Sequence, residues 1–108
     1  MIDDPETTLA LITAMIEALP LHALATKDFV AKLREARPDW DIAGECTVRL
    51  VRYADDAGGI VCQLDFGETV QGRVFASITH LQFDPRHELN EAITAYKRQR
   101  LEKLAQQG

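Results

Sequence analysis

The chain predicts an α+β fold of two N-terminal helices, a three-stranded antiparallel meander and a long C-terminal helix. Apolar residues alternate through 46–83, the spacing of half-buried strands. Two glycine-bearing turns, Asp55-Asp56-Ala57-Gly58-Gly59 and Gly67-Glu68-Thr69-Val70-Gln71-Gly72, divide that stretch into three. Apolar residues at helical spacing flank it on both sides.

The first helix opens at Asp4-Pro5, where aspartate caps and proline at the first helical position gives up no useful donor. Leu9, Ile12, Ile16 and Leu19 recur at helical spacing, and Leu11 and Met15 widen the buried stripe. Pro20 stops it. A second helix starts near Thr26 as cap, buries Phe29, Val30, Leu33 and Ala36, and stops before Pro38. Trp40, in the Pro38-Asp39-Trp40-Asp41 turn, is expected to plug the edge of the core.

In the meander, Cys46, Val48 and Leu50 form one apolar row, facing Ile60, Cys62, Leu64 and Phe66. Pairing across the first turn puts Cys46 opposite Phe66 or beyond. Each strand residue adds roughly 3.3 Å, so Cys46 and Cys62 lie too far apart to bridge. Both read as buried thiols. The third strand, 73–83, continues the even-numbered row with Val74, Ala76 and Ile78. It then changes parity to Leu81 and Phe83, as a bulge or sharp twist produces.

Asp84-Pro85 repeats the cap-plus-proline start for the last helix. Leu89, Ile93 and Tyr96 mark its face with Ala92, and the stripe slips to Leu101 and Leu104, interrupted by Arg100. Lys97, Arg98, Arg100 and Lys103 lie near the C-terminal end, where positive charge suits the dipole. Such a helix is about 30 Å long against a radius of gyration near 13 Å, so its final turns are expected to project, either to a partner such as a second copy or as a frayed, solvated tail.

At 108 residues the chain holds one core, giving a single domain over 1–108. Twelve Lys and Arg against 17 Asp and Glu leave a formal charge of −5, which argues against nonspecific binding to nucleic acid or anionic membrane. No apolar run approaches the ~18 residues of a membrane span. The start, Met1-Ile2-Asp3-Asp4-Pro5-Glu6, is acidic, the reverse of a signal peptide. The expectation is a cytoplasmic protein with no membrane contact.

His80, Asp84 and His87 are metal-ligand types within eight residues, but no zinc spacing accompanies them and capping accounts for Asp84. Ser77 and Thr79 lack a nucleophile-elbow pattern, and Gly58-Gly59 lacks a phosphate-loop sequence. No catalytic residue, metal or cofactor is therefore expected. A small enzyme using His80 near Asp84 is the last of three functional readings.

The outer sheet face carries the first. Its positions include Thr47, Arg49, Val51, Tyr53, Val61, Gln63, Asp65 and Phe75. A solvated face is mostly polar, so either a helix or another protein covers this one. Arg49, Val51, Tyr53, Val61 and Phe75 are the partner-binding candidates, with Arg49 placed to pair with Asp65. The expected function is a noncatalytic interaction or adaptor domain binding a protein partner or a second copy of itself.

The second reading rests on 26–37, then Glu45-Cys46-Thr47-Val48-Arg49, then Ala57-Gly58-Gly59-Ile60. This order resembles winged-helix DNA-binding domains over roughly 9–83. The resemblance implies a recognition helix over 46–57, with Arg49 and Arg52 available to phosphates or base edges. Strand formers throughout 46–53 favour the meander instead.

Overall fold

A computed structural model describes residues 3–68, 70 and 73–107. The elements run α1 (Pro5–Ala18), β1 (Leu21–Ala25), α2 (Lys27–Ala36), β2 (Glu45–Tyr53), the single turn α3 (Asp55–Gly58), β3 (Ile60–Asp65), β4 (Val74–Ser77), a 3-10 turn (Ile78–His80), β5 (Leu81–Gln82) and α4 (Asn90–Gln107). The fold is α+β. Its five-stranded antiparallel sheet has the order β4-β3-β2-β1-β5.

The expected meander is present as β2-β3-β4, but it is not the whole sheet. One strand, β1, was not anticipated, and β5 falls within the predicted third strand, 73–83, as a separate strand. β1 lies between the two N-terminal helices, and its sequence, Leu-His-Ala-Leu-Ala, contains no β-branched residue. It is extended because β2 pairs along one side and β5 along the other. β5 is only two residues long.

The short link between β4 and β5 bends the sheet. Laid flat, five strands at ~4.8 Å spacing would hold their edges about 19 Å apart. The step from Ser77 to Leu81 reaches at most about 14 Å fully stretched. The sheet therefore curls, and its concave side becomes the core. Leu21, Ala23, Cys46, Val48, Val51, Ile60, Cys62, Leu64, Val74 and Ala76 line that side. Leu11, Ile12 and Met15 of α1 and Ile93 and Tyr96 of α4 fill it. The predicted single strand over 73–83 is corrected: β4 ends at Ser77, and the 3-10 turn, not a bulge within one strand, changes the parity, since Ile78 and Leu81 are both fully buried.

Other expectations are corrected. In β2 the register slips between Val48 and Leu50, leaving Arg49 as a bulge. Leu50 is consequently 42% exposed and Val51 takes its place in the core. On α1 the buried face is Thr8, Leu11, Ile12 and Met15, whereas Leu9 and Ile16 are exposed. Six apolar residues covered more of that helix than one contact face can hide. α4 begins at Asn90, not at Asp84-Pro85. There Asp84 Oδ1 accepts from the Arg86 N–H, and three-residue turns follow through His87 and Asn90 before the helical ladder starts at Ile93. The 46–57 recognition helix implied by the winged-helix resemblance is absent: that segment is β2, Ala54 and most of α3. The second predicted turn lies partly outside the described residues.

Several readings hold. Asp4 caps α1 through the Thr7 N–H at 2.9 Å, and Thr26 caps α2 through Phe29. Both cysteines are free and buried. Trp40 packs partly buried against the core under Arg37, whose guanidinium lies 4.4 Å from the ring centre.

Arg100, read as a break in the α4 stripe, is instead one of the most buried charges. Arg100 Nη1 donates to both carboxylate oxygens of Asp3 at 3.2 and 3.1 Å, and Nη2 donates to the Asp56 carbonyl at 2.7 Å. Tyr53 and Tyr96 donate their hydroxyls to Asp3 Oδ2 at 2.9 and 2.8 Å. The Tyr96 oxygen also accepts the Ile60 N–H at 3.1 Å. This cluster ties the start of the chain to α4 and to the β2-β3 hairpin. Gly59 makes room for it: a Cβ there would lie 2.5 Å from the Tyr96 hydroxyl and 2.8 Å from Arg100.

Candidate interaction surface

With α1 and α4 packed into the concave side, the convex side of the sheet carries exposed residues. Cross-strand pairing sets its rows. Leu50 lies opposite Gln63, which lies opposite Phe75; Arg52 lies opposite Val61, which lies opposite Ser77. Leu50 is 42% and Phe75 40% exposed, two large apolar side chains in one row. The Arg52 guanidinium sits 5.0 Å from the Phe75 ring centre, holding a cation against the aromatic face.

The bulge places the second arginine. Arg49 leaves the ladder there and its Nε donates to Asp65 Oδ2 at 3.3 Å, the pairing the sequence anticipated. Asp65 also accepts the Gly67 N–H at 2.9 Å. That bond first, and Arg49 second, hold its carboxyl below the ordinary value. Both partners are half-exposed, so the pair orients charge more than it stabilises the fold.

Of the five sequence-derived candidates, Arg49 and Phe75 stand on this surface. Val51 is in the core because of the bulge. Val61 points to the convex side but is buried, with the α3 turn at Gly58 against its methyl. Tyr53 is partly buried and bonded to Asp3. Leu50 and Arg52 belong to the surface and were not among the candidates. The signal for them was the same apolar run, read one residue out of register after the bulge.

Leu24 extends the convex face across β1 and is also exposed. Beside it a groove of about 500 Å³ runs between β1 and the start of α4, lined by His22, Glu45, Asp84, Asn90, Thr94 and Lys97 among others. Lys97 Nζ donates to the Leu81 carbonyl at 2.7 Å, and its burial lowers its pKa. Asp84 is engaged by Arg86. His80 does not line this groove; its ring stacks on Phe29 at 5.1 Å. Burial, and then Lys32, lower its pKa. His87 accepts the Leu89 N–H. The three residues of the metal-type sequence cluster thus have separate local partners, and among the described residues no group of three His, Cys, Asp or Glu side chains is placed to hold a metal ion.

Further exposed leucines, Leu101 and Leu104, lie on the last turns of α4. Among the described residues no helix is long and apolar enough to cross a membrane. Comparison with protein-family models, with characterised proteins and with solved structures returns no significant match.

Proposed function

We propose that this chain is a noncatalytic interaction domain that docks a protein partner on the convex face of its sheet. Leu50, Gln63 and Phe75 form the centre of that face, and Arg49 and Arg52 its charged rim. The observation that carries the reading is the Leu50–Gln63–Phe75 row, in which two large apolar residues are each about two-fifths exposed. The aromatic–arginine pair is of the kind that recurs at the energetic centre of interfaces.

A second copy of the chain is the first occupant to test, because Arg49 and Asp65 stand side by side and an antiparallel copy can exchange them. Light scattering of the purified protein is expected to give a dimer mass that Phe75→Glu returns to that of a monomer. A heterologous partner would instead be retained by the wild type and lost by Leu50→Glu and Phe75→Glu alike. A monomer at high concentration, combined with a retained-protein profile that these substitutions leave unchanged, would remove the proposal.

A further inference from the structure

We infer that Tyr53, Tyr96 and Arg100 form a preorganised carboxylate-binding site, which the chain's own Asp3 occupies as a tethered ligand. Four donor bonds converge on this one carboxylate: two phenol hydroxyls and a guanidinium nitrogen reaching both oxygens.

Two of the three donors are held by partners besides Asp3. Arg100 is anchored on its other side by the Asp56 carbonyl, and the Tyr96 oxygen by the Ile60 N–H. The absent side chain at Gly59 lets both approach the hairpin backbone. Arg100 and Asp3 are each about 95% removed from solvent, so the site is dry and its hydrogen bonds are strong. The carboxylate is held differently. It arrives on the short stretch ahead of α1, whose next residue, Asp4, is the helix cap. A slit beside the cluster is bordered by that stretch, Thr7, Thr8, Gln99 and Lys103. Moving residue 3 aside exposes a cationic, tyrosine-lined cradle with Lys103 at its mouth. Its ligand class is a small carboxylate or a carboxylate side chain presented by another segment.

The test is chemical rescue in the full-length chain. Asp3→Ala removes the tethered ligand and leaves the donors. Sodium formate, against sodium chloride at equal ionic strength, is expected to raise the melting temperature of this variant saturably. At formate ten times its Kd the folding constant rises about tenfold, a shift of roughly 4–8 °C. The wild type, its site already filled, is expected to show no formate-specific shift. Asp3→Ala combined with Arg100→Met is expected to lose the response. If Asp3→Ala does not fold in chloride, recovery of the native circular dichroism in formate supports the inference. A variant that responds equally to formate and chloride, or stays unfolded in both, overturns it.

Discussion

Val48 and Val51 point into the same core although they stand three residues apart on one strand, a spacing that an unbroken strand forbids. Arg49 supplies the difference by leaving the ladder. Exposure at the next two positions is thereby reversed. Leu50→Ser is expected to change unfolding free energy by no more than about 0.5 kcal/mol. Val51→Ser is expected to lose roughly 1.5–3 kcal/mol of burial. Urea denaturation of the two variants distinguishes this register from a regular strand, which would give the opposite order.

Tyr53 and Tyr96 are the only tyrosines of the chain, so tyrosinate absorbance reports this one cluster. Burial first, and the bond to Asp3 and its charge next, push Tyr53 up to about 12. Burial is also the leading cause of an upward shift at Tyr96, with Asp3 adding to it. Both groups favour the neutral form when folded. Their contribution to stability is whole below pH 10, the ordinary tyrosine value, and is lost as pH climbs through the native values. Native protein is expected to show little tyrosinate at pH 10, with the melting temperature falling above it. Asp3→Asn removes the carboxylate charge and is expected to move the Tyr53 transition downward. An ordinary midpoint in the folded wild type contradicts the arrangement.

Gly59→Ala combines two penalties. The backbone at Gly59 has φ +64°, and the new methyl would press on Tyr96 and Arg100. Backbone strain of this kind amounts to about 1–3 kcal/mol before the buried cluster is displaced. Denaturant titration is expected to give a larger loss than for Gly67→Ala. At Gly67 φ is also positive, but a Cβ meets nothing within 4 Å. Equal losses at both sites would leave the backbone term alone and dismiss the packing term.

Cys46 and Cys62 are expected to be inert while the protein is folded. Burial pushes the first thiol up to about 11 and the second to about 12. An aromatic disulfide reagent should label neither at neutral pH in native protein, and both in guanidinium. Rapid native labelling would show that the core opens easily.

Much of the architecture was legible where the signal is local. Asp4 and Thr26 announce helix starts through cap chemistry, and the even-numbered rows of β3 and β4 read directly as strand. The rest was set by distant partners. β1 lacks β-branched residues and owes its shape to neighbours from elsewhere in the chain. At 50 and 51 two apolar residues adjoin, so either parity satisfies the pattern, and only pairing with β3 chooses. That ambiguity explains why Arg49 and Phe75 of the surface were recognised while Leu50 and Arg52 were displaced by Val51 and Tyr53. Arg100 read as an interruption because its partner lies at the opposite end of the sequence.

The Asp3–Arg100 ion pair spans 97 positions. Closing a loop of that length costs on the order of 4 kcal/mol in chain entropy. During synthesis Asp3 leaves the ribosome 97 residues ahead of the guanidinium with which it pairs. Until α4 is made, Asp3 lacks the Arg100 guanidinium against which it is buried, so its side of the cluster waits for a residue added 97 positions later.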